Sequence, residues 1–274
     1  MAERLDRVLK RAAGRIPGRE AEMLIAHVLG RDRAWVISHG EHALDDAKAE
    51  EIELTVEARA LGTPVAYLMG TREFYGRDFR VDQRVLIPRP ETETLIEAAL
   101  ERMPAGERTV VDLGTGSGAI ALTLALERPQ WAITAVDASG DALDCAQANA
   151  AALGAESVVF LEGSWYAPLA GWTFDLIASN PPYVAGSDAH LKQGDLRFEP
   201  QAALTDGSQD GLASLRAIVG DAARHLNPDG WLMFEHGYDQ ADLCRELLAA
   251  AGFQDLFSQP DLAGIPRVAG GRRV

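Results

Sequence analysis

Features that specify a metal centre, a disulfide framework or a membrane span are scarce in this sequence. The two cysteines, Cys145 and Cys244, each lie in a helical pattern without another cysteine or histidine at metal-ligand spacing. We expect both to be reduced, packed thiols, and none of the six histidines stands in a metal-binding motif. No apolar run approaches the ~20 residues that a membrane helix needs. The N-terminus lacks a secretory signal pattern, so we expect a cytoplasmic protein without a metal site.

Basic residues are also too few for a protein that grips duplex nucleic acid unaided. The chain has 26 Lys and Arg against 41 Asp and Glu, a formal net charge of −15. A duplex-binding surface usually carries an excess of positive charge that displaces phosphate counterions. We therefore expect no direct binding of duplex nucleic acid. The hydrophobic fraction of 47% is typical of an ordinary globular protein.

Helical patterns occupy the first part of the chain. Three apolar stretches of helical period, separated by turn signals, fill residues 1–62. The third begins near Asp45, turns Ile52 and Val56 inward and ends at Gly62. The pattern predicts a small helical bundle.

The pattern changes after this bundle. Two short β-like pieces, EFYGRDF and RVLI, lie between Glu73 and Ile87 with a turn between them, as in a hairpin that links two domains. Beyond Pro90, β-like runs alternate with helical runs, which favours a parallel, doubly wound sheet. The predicted helices in this part cover residues 118–126, 139–153, 211–226 and 239–251, and a β-like tail closes the chain.

A glycine-rich turn follows the predicted strand TVVDLG. Gly114, Gly116 and Gly118 stand where the backbone must turn sharply and where a ligand must approach it without a Cβ in the way. Asp137 ends the next predicted strand, nineteen residues after Gly118. An acid at that place can accept hydrogen bonds from both hydroxyls of an adenosine ribose. The arrangement predicts a cofactor that contains adenosine.

Two cofactor classes fit this turn. Gly114, Gly116 and Ala119 satisfy the dinucleotide fingerprint, so an NAD-dependent oxidoreductase stays open. Asp112, just before the glycines, favours S-adenosylmethionine, because a carboxylate there suits an ammonium group and repels a pyrophosphate.

A second motif follows the fourth predicted strand, FDLIAS, at the sheet edge where such folds do their chemistry: Asn180-Pro181-Pro182-Tyr183. Methyl transfer to nitrogen requires an NH₂ group whose lone pair points at the sulfonium methyl, which is mainly a problem of orientation. The Asn180 oxygen and a proline carbonyl can accept the two N–H bonds, and Tyr183 can pack on the planar group. The motif predicts methylation of an amide or amino nitrogen without a strong general base.

These motifs together resemble the bacterial and organellar N5-glutamine methyltransferases that modify peptide chain release factors. The resemblance covers nearly the whole chain. Besides the glycine turn and Asn-Pro-Pro-Tyr, it is carried by residues 63–76, by LIPRPETE at 86–93, and by residues 163–165, 198–204 and 261–268.

The resemblance implies a Rossmann-like class I methyltransferase domain with a mostly parallel sheet at residues 91–274. A helical domain that docks the release factor would precede it at residues 1–72, with a β-hairpin linker at residues 73–90. The implied reaction transfers a methyl group from S-adenosylmethionine to the side-chain amide nitrogen of the glutamine in the Gly-Gly-Gln tip of class 1 release factors. We expect the enzyme to be a cytoplasmic monomer.

Carried over by motif, the implied cofactor-binding residues are Asp112, Gly114, Thr115, Gly116, Ser117, Gly118, Asp137, Trp165 and Asn180. The glutamine amide would be held by Asn180, Pro181, Pro182 and Tyr183, of which Asn180, Pro181 and Tyr183 are the catalytic candidates. Four further residues lie in segments that look like the family's active-site rim: Phe74, Tyr75, Arg89 and Glu199. We assign no role to these rim residues or to His236.

An adenine-N6 DNA or RNA methyltransferase remains the alternative, since it would use the same Asn-Pro-Pro-Tyr chemistry on a flipped base. The sequence has neither a basic face nor a recognisable DNA-recognition domain, which disfavours this alternative.

Overall fold

The structure is a computed structural model that describes residues 3–274 and forms two compact units. The helical prediction for residues 1–72 also included residues 1 and 2, which lie outside the described part. One unit comprises the described residues up to Thr71 together with Gln193–Phe198. The other comprises Arg72–Lys192 and Glu199–Val274.

The segment Gln193–Phe198 groups with the N-terminal helices, whereas the domain boundaries predicted from the sequence place it in the C-terminal domain. Hydrogen bonds explain the grouping. Arg59 Nη1 donates to Asp195 Oδ1 over 2.9 Å, and Arg197 donates to the carbonyl of Leu61. These partners are distant in the sequence, so no local pattern indicates them.

The N-terminal unit is built from short helices around one apolar core. Its elements are β1 Glu3–Arg4, α1 Leu5–Ala13, α2 Gly18–Leu29, α3 Arg33–Ser38, β2 Ala43–Leu44, α4 Asp46–Ala60 and α5 Val65–Met69. Asp45 caps α4 by accepting a hydrogen bond from the N–H of Lys48 over 2.7 Å. Ile52 and Val56 are buried in the core of this unit. The helical bundle predicted from the sequence is confirmed.

The predicted hairpin exists, but its strands differ from the prediction. Both strands overlap the first predicted piece and extend beyond its ends, as β3 Thr71–Phe74 and β4 Arg77–Arg80, with Tyr75 in the left-handed region at the turn. The second piece, RVLI, forms no strand. The N–H of Ile87 donates instead to the Glu199 carboxylate over 3.0 Å, so it has no strand partner. The prediction of a strand at RVLI was wrong because a side chain supplies the acceptor there.

Parallel strands dominate the sheet of the C-terminal unit. The strands of this sheet are β5 Arg108–Leu113, β6 Trp131–Asp137, β7 Val159–Glu162, β8 Phe174–Ser179, β9 Leu226–Glu235, β10 Gln254–Pro260 and β11 Pro266–Arg272. Their order is β10-β11-β9-β8-β5-β6-β7. Strands β5 to β9 pair in parallel, whereas β11 runs antiparallel to both β9 and β10. The predicted α/β class with a mostly parallel sheet is confirmed.

Helices cover both faces of this sheet, and they are α6 Glu93–Arg102, α7 Ala119–Glu127, α8 Gly140–Leu153, α10 Ala213–His225 and α11 Ala241–Ala250. The short helix α9 Gln201–Leu204 lies in the loop between β8 and α10. The four helices predicted in this part correspond to α7, α8, α10 and α11. Two apolar clusters result, one on each face, because alternate residues of a strand point to opposite sides. Val110 belongs to one cluster and Val111 to the other. Burial on both faces explains the continuous apolar runs of the central strands.

Within residues 3–274, no helix is both long enough and apolar enough to cross a membrane. Cys145 and Cys244 are buried free thiols, as predicted.

Candidate active site

Three adjacent parallel strands bring the predicted motifs to one edge of the sheet. The register pairs Leu113, the last residue of β5, with Val136 of β6 and with Ser179 of β8. The glycine turn, Asp137 and the Asn-Pro-Pro-Tyr loop therefore lie at the carboxyl ends of neighbouring strands. This edge is where ligands bind in open α/β sheets.

A cavity of about 380 Å³ opens at this edge. A volume of this size is typical of a small-molecule site. Of the residues predicted from the sequence, the cavity is lined by Gly114, Gly116, Asp137, Trp165, Asn180 and Pro182. The structure thus places candidates from the glycine turn, the acid, the tryptophan and the Asn-Pro-Pro-Tyr motif around one space.

The glycine turn leaves its backbone open to the cavity. Gly114 and Gly116 have positive φ angles of 76° and 56°, a region that favours glycine. A Cβ on Gly116 would meet no atom within 4 Å, so open space lies beside that backbone. A Cβ on Gly114 would lie 3.4 Å from the Trp165 ring. Trp165 itself has a φ of 48°, so its backbone is held in an unusual conformation beside the turn.

Asp137 ties this turn to the end of β6. Its Oδ2 accepts a hydrogen bond from the N–H of Gly116 over 2.8 Å, and its Oδ1 accepts one from the N–H of Ser139 over 3.0 Å. Each carboxylate oxygen keeps capacity for a further donor. Because Asp137 also lines the cavity, its carboxylate can accept hydrogen bonds from a ligand there.

Asp112 lies beneath the turn, outside the cavity lining. Its side chain is fully buried, and its Oδ2 accepts hydrogen bonds from Thr115 Oγ1 over 2.6 Å and from the N–H of Ala121 over 3.2 Å. Its Oδ1 has no hydrogen-bond partner among the described residues. Burial raises the pKa of Asp112 to about 7, against the lowering effect of the Thr115 and Ala121 hydrogen bonds. A buried carboxylate oxygen without a donor is costly unless a proton or a cation meets it.

The remaining members of the glycine turn hold its shape. Thr115 and Ser117 are buried, and the Ser117 carbonyl accepts a hydrogen bond from Asn149 Nδ2 over 2.8 Å. A Cβ on Gly118 would lie 2.9 Å from a methyl carbon of Leu122, so only glycine allows this close packing at the start of α7. These three residues do not line the cavity.

The Asn-Pro-Pro-Tyr loop is tied to two residues that sequence reasoning missed. Asn180 Nδ2 donates to Thr92 Oγ1 over 3.1 Å, and Thr92 Oγ1 donates to Glu235 Oε2 over 2.6 Å. The Tyr183 hydroxyl donates to Glu235 Oε1 over 3.0 Å. Glu235 ends β9 just as Asp137 ends β6. An acid at the end of a buried strand was therefore the available signal for Glu235, whereas Thr92 stands in the LIPRPETE segment that carries the resemblance but received no role of its own.

Burial shifts the pKa values of this group. Burial raises the pKa of Glu235, while the hydrogen bonds from Thr92 and Tyr183 oppose the rise. Burial also raises the pKa of the Tyr183 phenol, and the nearby Glu235 carboxylate adds to that rise. The phenol therefore stays protonated and acts as a donor.

Backbone contacts fix the other side of the loop. Gln240 Nε2 donates to the carbonyls of Tyr183 over 3.0 Å and of Asp210 over 3.1 Å. Gly211, with a φ of 67°, lies so close that a Cβ there would approach the Tyr183 carbonyl oxygen to 2.1 Å. Pro181 is buried, whereas Pro182 borders the cavity. The loop is thus held by contacts on both sides.

The rim residues have structural partners. Arg89 Nη2 lies 2.5 Å from the buried carboxylate of Glu199, which also accepts the Ile87 N–H. Phe74 is buried in the hairpin, with its ring centroid 5.9 Å from that of Phe79. The N–H of Tyr75 donates to Glu93 Oε1 over 2.8 Å. These contacts stabilise the hairpin and the segment that leads to α6.

His236 is fully buried beside this site. Its Nδ1 lies 2.8 Å from the Gly237 carbonyl, and its Nε2 has no hydrogen-bond partner among the described residues. Burial lowers the pKa of His236, so the ring is held in its neutral form. The contact with a carbonyl places the proton on Nδ1.

The strand order, the glycine turn after the first strand of the sheet and the Asn-Pro-Pro-Tyr loop after the fourth define a Rossmann-like methyltransferase domain. Comparison with known proteins supports this fold class. Residues 91–205 match the methyltransferase small domain family, and residues 3–70 match the PrmC N-terminal domain family. A methyltransferase structure from Pyrococcus furiosus superposes with a TM-score of 0.55 at 17% identity, covering 84% of this chain and 99% of that one. At this identity the likeness concerns the fold alone.

Relatives that match nearly the whole chain identify the family more closely than the fold does. A release factor glutamine methyltransferase of Xylella fastidiosa is 52% identical over 97% of this chain and 96% of its own length. A protein of the same name from Bordetella pertussis is 50% identical over 93% of this chain and 95% of its own. The chain belongs to the release factor glutamine methyltransferase family, and the resemblance found in the sequence is confirmed.

Proposed function

We propose that this protein transfers a methyl group from S-adenosylmethionine to the side-chain amide nitrogen of a release-factor glutamine, the one in the Gly-Gly-Gln tip. The observation that carries the proposal is the cavity that joins Asp137, Trp165 and Asn180 at one sheet edge. Family membership supports the substrate class, because relatives of similar length carry this activity in their names.

The residues around the cavity fit S-adenosylmethionine. Open space beside the Gly116 backbone admits a ligand, and the Asp137 carboxylate can accept hydrogen bonds from ribose hydroxyls. Trp165 presents an aromatic surface beside Gly114, which suits an adenine ring. In its ionised form Asp112, whose Oδ1 has no hydrogen-bond partner among the described residues, places negative potential beneath the turn, which favours a cation over a pyrophosphate. We therefore propose Asp137 and Trp165 as direct contacts of the cofactor and Asp112 as an electrostatic support.

Asn180 is proposed to hold the glutamine amide. The bound cofactor supplies an electrophilic methyl group on a sulfonium. Because Asn180 uses Nδ2 to donate to Thr92, its Oδ1 is the atom left to accept an N–H of the incoming amide. A proline carbonyl of the loop can accept the second N–H, and together they fix the direction of the nitrogen lone pair. Holding a reactant in its productive orientation accounts for much of the rate in such transfers.

The site needs no strong base. The Tyr183 phenol stays protonated and donates to Glu235, so it is not available to remove a proton. An amide nitrogen that gains a methyl group becomes acidic, and its proton can pass to water. Tyr183 is proposed to pack on the planar amide through its ring.

A monomeric state and a cytoplasmic location stay predictions.

Methyl transfer from labelled S-adenosylmethionine to a purified, unmethylated release factor tests the proposal. A release factor with Gly-Gly-Glu in place of Gly-Gly-Gln is the matched control, and unmethylated DNA runs in parallel. Label on the glutamine, mapped by mass spectrometry and absent from the control, would establish the function. Label on adenine alone would favour the adenine-N6 alternative. Binding of NAD instead of S-adenosylmethionine would overturn the methyltransferase assignment.

A further inference from the structure

A continuous chain of hydrogen bonds behind the Asn-Pro-Pro-Tyr loop connects the Asn180 amide to a buried acid. It runs from Asn180 through Thr92 to Glu235, which also receives Tyr183. We propose that Thr92 and Glu235 are positioning residues that set the orientation of the Asn180 amide, so that its oxygen faces the acceptor nitrogen. The inference rests on the proposed function of Asn180.

The three partners come from different elements that meet at the sheet edge. Asn180 follows β8, and Glu235 ends the neighbouring parallel strand β9, where Ser179 pairs with Phe234. Thr92 ends the short 3₁₀ turn Pro90–Thr92 that leads into α6. Thr92 and Glu235 are 3% and 1% exposed, so water does not compete for their hydrogen bonds.

The direction of each hydrogen bond follows from the acid at the end of the chain. When Glu235 is ionised, which the hydrogen bonds from Thr92 and Tyr183 favour against the effect of burial, its carboxylate can only accept, and the Thr92 hydroxyl donates its single proton to it. The Thr92 oxygen is then left with lone pairs alone, and it requires a donor from Asn180. Asn180 must present its NH₂ group to Thr92, as the structure shows.

This polarity has a consequence on the side of Asn180 that faces the cavity. An amide that turns NH₂ towards Thr92 turns its oxygen the opposite way. A flipped amide would present donors to a substrate NH₂ group, which also only donates. Without Thr92 and Glu235, both orientations of Asn180 become accessible, and only one of them is productive. If the orientation is fixed before the substrate arrives, no enzyme molecule is held in the unproductive orientation.

Glu235 also acts on the second side of the loop. Its other oxygen accepts from the Tyr183 hydroxyl over 3.0 Å, so one carboxylate fixes the first and last residues of the motif. Replacing it by glutamine keeps the shape but introduces an NH₂ group that must face either Thr92 or Tyr183. Facing Thr92, it would reverse the polarity of the whole chain.

A purely structural role for the same residues makes a different prediction. Hydrogen bonds that only stabilise the loop would change activity independently of the Asn180 side chain. A residue that acts through Asn180 has nothing to act on once that side chain is removed. A double-mutant cycle between positions 92 and 180 separates the two roles.

The experiment compares the wild type with Thr92→Val, Thr92→Ser, Glu235→Gln, Asn180→Ala and the double variant Thr92→Val/Asn180→Ala. Single-turnover and steady-state transfer to the release factor give the rates and KM, calorimetry gives the affinity for S-adenosylmethionine, and thermal melts report folding. Thr109→Val is the matched control. It also removes a hydroxyl bound to a carboxylate, that of Asp175 at 3.1 Å, but at the amino end of β5.

We expect Thr92→Val to lower kcat by roughly 10- to 100-fold with little change in cofactor affinity. Thr92→Ser should keep most of the wild-type kcat because it keeps the hydroxyl. Glu235→Gln should lower kcat to a similar extent as Thr92→Val. In the Asn180→Ala background, Thr92→Val should have no further effect. Thr109→Val should match the wild type.

Two outcomes would overturn the positioning role of Thr92 and Glu235 while leaving the proposed function intact. One is a folded Thr92→Val or Glu235→Gln enzyme with the full rate, and the other is an effect of Thr92→Val that adds fully to that of Asn180→Ala. If Thr92→Val does not fold, Glu235→Gln and its own cycle with Asn180→Ala decide the question. Failure of the wild type to methylate the release factor would instead overturn the proposed function, and with it the positioning role of Thr92 and Glu235.

Discussion

The backbone N–H of Gly116 donates to Asp137 Oδ2 over 2.8 Å, so the acid proposed to hold the ribose also holds the glycine turn. The two roles meet in one side chain because β5 and β6 are parallel neighbours that end together. A substitution at Asp137 should therefore affect both the ligand contacts and the shape of the turn.

Asp137→Ala should weaken the binding of S-adenosylmethionine by at least ~10-fold, since hydrogen bonds to a charged group contribute about 1.5–3 kcal/mol each. Calorimetry on the purified variant measures the change in Kd. Asp144→Ala, an exposed acid on α8, is the control and should bind as the wild type does. Unchanged affinity of Asp137→Ala would refute the proposed contact.

Asn180→Ala should abolish most of the catalysis and leave cofactor affinity almost intact, because the main cofactor contacts lie on the glycine turn and β6. We expect kcat to fall by roughly 100-fold or more, as for removal of an orienting hydrogen-bond partner. Single-turnover transfer and calorimetry on the same preparation measure both quantities. Equal losses of rate and of cofactor affinity would contradict the separate roles.

Asp112 should make the free energy of unfolding depend on pH. Its pKa rises from an ordinary value near 4 to about 7 in the folded protein, so the unfolded state loses the proton first as the pH rises. The contribution is greatest below pH 4 and is lost as the pH approaches 7, with a loss of about 2–3 kcal/mol between pH 5 and 7.

Asp112→Asn cannot titrate and should lack this loss. Denaturant unfolding of both proteins at pH 5, 6, 7 and 8, without cofactor, measures the difference between their profiles. The difference isolates Asp112, because other titrating groups contribute equally to both. Parallel profiles would show that the buried carboxyl has no raised pKa.

Gly211→Ala should damage the Asn-Pro-Pro-Tyr loop. A Cβ at this position would approach the Tyr183 carbonyl to 2.1 Å, so the loop backbone must move. We expect a loss of roughly 1–3 kcal/mol in the free energy of unfolding together with a lower kcat.

Gly207→Ala is the matched control for this change. Gly207 also has a positive φ, of 78°, but a Cβ there would meet no atom within 4 Å. It should therefore show only the cost of the left-handed backbone and keep its kcat. Denaturant melts and transfer assays compare the two variants, and equal effects on kcat would show that the close approach to Tyr183 is unimportant.

Much of the fold and part of the site could be predicted from local patterns. Glycines between a strand and a helix, an acid at the end of the next strand and Asn-Pro-Pro-Tyr after the fourth strand each describe a few consecutive residues. Asp137 and Asn180 both line the cavity, because parallel strands end at the same edge of the sheet. The same patterns failed at RVLI, where the Glu199 carboxylate replaces a strand partner.

The sequence by itself determined the order of strands and helices, the buried faces and the residue types at the cavity, because these follow from periodicity and from short motifs. Only the tertiary structure decided what orients them. Thr92 and Glu235 are 143 positions apart and Gly211 lies far from Tyr183 in the chain, yet each pair is in close contact. A contact between distant residues depends on how the elements pack, and no local pattern records that packing.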